Sequence, residues 1–401
     1  MIKLDRHFWL LLHRWFGLLS GGFLLVVALT GCFIAFNTEL EAVLSPELFS
    51  VDCNGAIMQP VALMEKVAAR LPKNLEILDL PLFAEPGRSV RFAASGTGAE
   101  MDFVTAVQFF VNPCNGEILG SRQWGELSLA AKNLMPLLNR IHYSLALGNF
   151  GSYLLGIIAV FWTLDCFVGL YLTFPKCKNA YPQHPVYWLQ KWKKAWLIKM
   201  NASFIRLNFD LHIAFGLWTW AALLLFAWSS VAFNLPEEVY NPVTRWLFGM
   251  EEVTQIEASP ADGVHKPEWR QALLTGRHLL KQLAQSENMQ ILYEDSLAYN
   301  PLQNTYDYKV KSNLDVSKWA STQITFSTET GRLIKSTWPG HPNEKMGDVI
   351  TRWLIWLHMA VVFGTGMQIF VCFLGLVITL LSLTGIYIWW RKKKASKKLQ
   401  T

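Results

Sequence analysis

Four of the nine histidines, His13, His142, His212 and His358, stand inside or beside apolar stretches. An ionisable side chain there is costly and usually lines a pathway or binds something. Their surroundings match in pairs. Leu12-His13-Arg14-Trp15-Phe16-Gly17-Leu18 aligns with Leu211-His212-Ile213-Ala214-Phe215-Gly216-Leu217. His142 with Gly148, Thr163, Gly169 and Tyr171 aligns with His358, Gly364, Thr379, Gly385 and Tyr387, each pair offset by 216 residues. A b-type haem fits such histidines, because its iron accepts one imidazole nitrogen from each side and two helices can clamp the ring. The helix faces suit a flat apolar plate: Gly17, Gly21, Leu24, Ala28 and Gly31 follow His13, while Gly216, Leu223 and Ala227 follow His212. The plainer explanations are helix-end or interfacial histidines, and small-residue faces that only bring helices close. One histidine would favour those readings; four in two repeated contexts favour haem.

Zinc competes for the same side chains. Two histidines without cysteine or carboxylate neighbours make a poor closed zinc site, and Asp5 or Asp210 would have to complete one. Proton relay is a third chemistry and brings in Asp165, an acid deep within the second apolar stretch. Its aligned position is Leu381, and a protonated carboxyl bonded to a hydroxyl would equally account for it. Arg140 and Arg352 lie close to His142 and His358, and Arg14 and Arg206 close to His13 and His212. Guanidinium groups there could pair bidentately with haem propionates, or could simply snorkel to the membrane edge. The sequence holds no Cys-x-x-Cys-His for covalent c-type haem. It also lacks a Walker loop, and any Gly-x-Gly-x-x-Gly after a strand, so electrons must arrive from another carrier.

These side chains need a scaffold, and composition points to one. With 401 residues, 52% hydrophobic and 16% charged, and a mean hydropathy of +0.23, the chain is too apolar for an ordinary cytosolic enzyme. Four stretches are long enough to cross a hydrocarbon layer of ~30 Å as helices rising ~1.5 Å per residue. The expected helices cover 8–37, 136–174, 206–234 and 349–390. Between them lie long segments at 38–135 and 235–348 and a loop at 175–205, and a basic tail follows at 391–401. The first stretch reads as a retained anchor, since its apolar run is too long for a secretory signal and no cleavage pattern follows it.

Charge orients the spans. Of the 36 Lys and Arg, 16 lie at the N-terminus, between Lys176 and Arg206, or in the tail from Arg391 to Lys398, whereas the two long segments are acidic. Positive-inside reasoning places both termini and the 175–205 loop in the cytoplasm and both long segments outside. The basic tail suits anionic lipid, and no nucleic-acid role follows from it. The two outer segments each carry a strand, tight turn, strand pattern at Gly116 and Gly331. The expected fold is therefore a four-helix transmembrane bundle with two extracytoplasmic α+β domains, built by duplication of a helix, domain, helix unit. Two spans per unit make the repeats parallel, related about an axis along the membrane normal. Such an axis pairs His13 with His212 near one surface and His142 with His358 near the other. Cys53 and Cys114, each opening Cys-Asn-Gly at an expected turn, would pair in an oxidising compartment if they come within reach. Cys32, Cys166 and Cys372 read as apolar filler, and Cys177 as cytoplasmic.

The stretch His13-Arg-Trp-Phe-Gly-Leu ahead of a Gly-containing apolar helix, the outer hairpins and the Gly-x-Tyr endings at Gly169 and Gly385 resemble the PepSY-associated transmembrane family over nearly the whole chain. Cys114 in the first hairpin departs from its pattern, and the family includes members of unknown activity. Other members are bacterial inner-membrane ferric-siderophore reductases with two haems. The resemblance therefore implies two haem b, a quinol or cytoplasmic electron donor, and a ferric siderophore or other ferric chelate reduced in the periplasm to release Fe(II) for uptake. Carried over by position, His13 and His212 hold the inner haem and His142 and His358 the outer one. Two alternatives stand beside it. A membrane-anchored regulatory or peptidase-inhibitor-like protein would need only the outer domains. An iron or siderophore transporter would build its site from broken helices near the midplane, and spans without internal proline speak against it.

Overall fold

The computed structural model describes residues 5–53, 55–96, 106–176, 185–251, 268–301 and 303–398; Lys3 and Cys177 lie outside them. Helix α1 (Arg6–Ile34) begins where the Asp5 carboxylate accepts the Phe8 amide at 2.9 Å, satisfying one of the amides that a helix start leaves without a partner. Three short helices follow: α2 (Asn37–Leu44), α3 (Pro46–Phe49) and α4 (Pro60–Ala68). The strands β1 (Leu75–Ile77), β2 (Asp79–Pro81), β3 (Val90–Gly96), β4 (Val107–Val111) and β5 (Ile118–Gln123) come next. The chain then returns through α5 (Ala131–Ser144) and α6 (Gly148–Thr173).

Residues expected as one helix over 136–174 form two. Leu145 and Ala146 adopt left-handed φ of 52° and 60°, and Gly148 a φ of 62°, which ends α5 before α6 starts. The same break separates α12 (Met346–His358) from α13 (Gly364–Lys398), with left-handed Ala360, Phe363 and Gly364, so the expected helix over 349–390 is also two. Consequently His142 and His358 sit on short helices beside the spans, and His358 closes α12. The helix expected over 206–234 is broken as well: α8 (Phe204–Trp218) and α9 (Trp220–Asn234) meet at Thr219 with a 70° bend. The Thr219 hydroxyl there bonds the Phe215 carbonyl at 2.7 Å beside the Thr219 amide at 3.1 Å, so that carbonyl keeps its helical partner. Among the described residues, the helices long and apolar enough to cross a membrane are α1, α6 and α13, with the bent α8–α9 pair as a fourth candidate. Ahead of α8 lies α7 (Pro185–Lys193).

Residues 235–345 carry α10 (Asn241–Phe248), α11 (Trp269–Ser286), β6 (Ile291–Asn300), β7 (Thr305–Ser312), β8 (Thr322–Ser327) and β9 (Leu333–Thr337). All pairings are antiparallel, in the orders β1-β3-β4-β5 and β2-β6-β7-β8-β9. The expected turns fall at Gly116 (φ 69°) between β4 and β5 and at Gly331 (φ 63°) between β8 and β9. The two outer segments, expected as separate domains, share a sheet and a core. β2 pairs with β6, Asp79 opposite Ala298, and Val67, Phe92 and Val111 of the first segment pack in one buried cluster with Leu297, Tyr308 and Phe326 of the second. Arg122 on β5, fully buried, meets Glu41 of α2 at 2.6 Å and anchors this body to the end of α1.

In the helical part α1 lies along α13 and against α5 and α6, α6 against α9, α8 against α13, and α12 against α9. Ala28, Cys166, Leu223, Ala227 and Ile378 form a buried apolar cluster where α1, α6, α9 and α13 converge.

Candidate functional site

At the end of the helices remote from the sheets, His13 on α1 faces His212 on α8. Their ring centres lie 6.2 Å apart and their planes cross at 64°. Nδ1 of His13 lies 2.9 Å from each carboxylate oxygen of Asp165 on α6. Its ring leans on Gly169, where a Cβ would stand 3.6 Å from Cε1. His212 is held in the same manner by α13: Nδ1 is 2.9 Å from the Thr384 hydroxyl, and a Cβ on Gly385 would come within 3.4 Å of Cε1.

At the sheet end His142 on α5 faces His358 on α12, centres 6.3 Å apart and planes at 73°. His142 Nδ1 donates to the Val27 carbonyl at 2.9 Å and lies 3.2 Å from the Thr30 hydroxyl. Gly31 permits this approach, because a Cβ there would stand 3.0 Å from the ring. His358 Nδ1 meets the Ser229 hydroxyl of α9, and its ring packs on Phe226 and Phe233. Val27 lies roughly 21 Å along α1 from His13 at ~1.5 Å per residue, so the two pairs occupy two depths.

The hydrogen bonds decide which ring nitrogen is available. A carboxylate and a carbonyl can only accept, so His13 and His142 must donate through Nδ1. The hydroxyls of Thr384 and Ser229 already donate to the Leu380 and Phe226 carbonyls, which leaves them to accept from His212 and His358. All four imidazoles thus carry hydrogen on Nδ1, which leaves Nε2 as the nitrogen able to ligate, and no described residue hydrogen-bonds it. A metal-ligating histidine is typically fixed in this way by a partner on its other nitrogen.

The spacing tests which ligand fits. A metal–imidazole bond is about 2.0 Å and a ring nitrogen lies ~1.1 Å from the ring centre, so two imidazoles whose Nε2 atoms point at one iron from opposite sides put their centres roughly 6.2 Å apart. Both observed distances agree with this span. A bare metal ion would need further protein ligands, and among the described residues no group of three or more His, Cys, Asp or Glu is arranged to hold one. Haem brings four nitrogens of its own and requires from the protein only the two axial ones. Gly17, one turn beyond His13, has open space where a Cβ would stand.

The arginines are less uniform. Arg206 pairs with Asp210 at 2.8 Å, Arg140 donates to the Gly125 carbonyl, and Arg352 is bonded to Glu344 and lies over Trp356. Arg14 lies over the Trp15 ring, and its Nε is buried without a partner. Three of the four therefore already have acceptors within the chain, with other N–H groups left over. Arg352, Trp356, Met250, Thr337 and Asp348 line a cavity of about 530 Å³ at the sheet end. Cys53 and Cys114 form a disulfide, Cα atoms 5.8 Å apart, while Cys32, Cys166 and Cys372 are free.

The hydroxyl partners Thr30, Ser229 and Thr384 were not singled out from sequence. A signal for two of them exists: Thr30 follows His13 by the same interval that separates Ser229 from His212. A family model for the PepSY-associated TM region matches residues 10–392. No curated protein matches the chain.

Proposed function

The chain belongs to the PepSY-associated TM family, and we propose that it carries electrons across a membrane on two b-type haems to reduce a ferric chelate, a ferric siderophore above all. The observation that carries this reading is the pair of imidazole spacings, 6.2 and 6.3 Å, each with both Nε2 atoms free of hydrogen bonds to described residues. When bound, the haems supply a one-electron carrier at each of two depths. His13 and His212 hold the one remote from the sheets, and His142 and His358 hold the one beside them. Asp165, Thr384, Val27, Thr30 and Ser229 keep the four rings in the tautomer that can ligate. Arg14 and Arg352, each with a buried Nε that has no partner, keep a donor available for a propionate.

The basic residues set the direction. They lie at the His13 end, which we assign to the cytoplasm of a bacterial inner membrane, with a quinol or a soluble carrier as donor. The acidic outer segments then face the periplasm, and the released Fe(II) becomes available for uptake. We read the repeated order of helix, sheet and helix as a parallel duplication whose axis brings each histidine to its counterpart, within a four-helix bundle in which the bent α8–α9 pair is one span. The break at Thr219 removes the continuity that had spoken against a transporter; ligand geometry favours the redox reading instead.

The test is a pyridine-haemochrome assay with a reduced-minus-oxidised visible spectrum of the purified protein. Two b-type haems per chain are expected. A colourless protein from haem-supplied cells would overturn the proposal and turn attention to the outer domains.

A further inference from the structure

Resting on that reading, we propose that Asp165 is a positioning residue that lowers the potential of the His13–His212 haem relative to the His142–His358 haem, so that electrons run from the first to the second. The four axial histidines differ in one respect. His13 donates to a carboxylate, both of whose oxygens lie 2.9 Å from Nδ1, whereas His142, His212 and His358 donate to a carbonyl or a hydroxyl. Asp165 is the only acid hydrogen-bonded to any of the four among the described residues, and its side chain is 14% exposed. The aligned position in the other half is Leu381, on the helix that holds His212. Thr30 and Ser229, by contrast, serve the sheet-end pair alike. The asymmetry is therefore confined to one pair.

A carboxylate on Nδ1–H draws the proton toward itself and gives the imidazole partial anionic character, which raises its basicity as a ligand. Such a ligand favours ferric over ferrous iron, because the oxidised metal carries one more positive charge. The unscreened negative charge of Asp165 acts in the same direction within the apolar interior. Neutral acceptors at the other pair leave that potential higher. A low potential where electrons enter and a higher one where they leave makes transfer downhill.

The experiment is a spectroscopically monitored redox titration of the purified two-haem protein, wild type against Asp165→Asn, with Thr384→Ala as control. Asp165→Asn is expected to raise the lower of the two midpoints by about tenfold in the reduction equilibrium, roughly 59 mV for one electron, and to leave the upper one in place. Thr384→Ala is expected to move it less. An unmoved lower midpoint, or a shift of the upper one instead, overturns the inference while leaving the two-haem reading intact. A wild type without haem overturns both. Should Asp165→Asn bind a single haem, near-infrared magnetic circular dichroism of the ferric wild type decides. One of two charge-transfer bands at higher energy supports a strongly donating His13, and two coincident bands overturn it.

Discussion

His142 and His358 stand 6.3 Å apart, ring centre to ring centre, although each is carried on a short helix cut off from the neighbouring span by left-handed residues. Each ring is set by a different helix: α1 holds His142 through Val27 and Thr30, and α9 holds His358 through Ser229. Helices α1 and α9 thus position histidines carried on α5 and α12. His13 and His212 obey the converse rule, being seated by α6 and α13.

On the proposed two-haem reading, haem content is a test of pairing. His13→Ala and His142→Ala are each expected to lose one haem. Combining His13→Ala with His212→Ala should lose no more than either alone, and combining His13→Ala with His142→Ala should lose both. Quantitative haemochrome assays of the four variants read this directly. Loss of both haems in the His13–His212 double variant alone would mean that the rings pair otherwise.

The glycines behind the rings should act locally. A Cβ at Gly31 would stand 3.0 Å from the His142 ring, and one at Gly169 would stand 3.6 Å from that of His13. Gly31→Val is therefore expected to displace His142 and perturb the sheet-end haem, at a cost of about 1–3 kcal/mol for overpacking. Gly169→Val should affect the other haem. Low-temperature EPR, which separates two ferric low-spin signals when their ligand planes cross at different angles, here 64° and 73°, would assign each variant; equal changes in both signals would refute local action.

The disulfide between Cys53 and Cys114 reports on compartment. It closes a separation of 61 residues, for which chain entropy predicts about 4 kcal/mol of stabilisation. Neither thiol should take up a maleimide in intact cells until a reductant is added, and Cys53→Ser should lower the melting temperature of the full-length protein. Ready labelling without reductant would place these residues on the reducing side of the membrane.

Acid should weaken the outer body through Glu294. Burial pushes its carboxyl up, but the paired bonds from Arg277 and the Tyr308 hydroxyl outweigh this and hold it below the ordinary 4.5. A depressed carboxylate stabilises the fold above its unfolded value and loses that contribution as pH falls through the folded one. The melting temperature is expected to decline from about pH 4.5 downward, with Glu294→Gln flattening that limb. The effect should stay under about 1 kcal/mol because Arg277 is partly exposed. An unchanged acid slope in the variant would assign the loss to other groups.

Much of this was legible in residue order. Hydropathy marked the spans, the offset of 216 residues matched His142 to His358, and glycine at Gly116 and Gly331 marked both outer hairpins. The breaks at Leu145 and Ala360 were not legible, since left-handed backbone at leucine, alanine or phenylalanine leaves no composition signal. Nor was the bend at Thr219, which lies inside a run of unbroken hydropathy.

By itself the sequence determined the candidate ligands, because four histidines in apolar surroundings are conspicuous wherever the chain folds. It also determined that Asp165 lacks a counterpart. Only the tertiary structure decided what Asp165 touches, which ring nitrogen each histidine keeps free, and that β2 crosses to join the second sheet. The reason is physical: composition and periodicity report which faces are apolar, whereas a hydrogen bond between residues 152 positions apart depends on how two helices are rotated against each other.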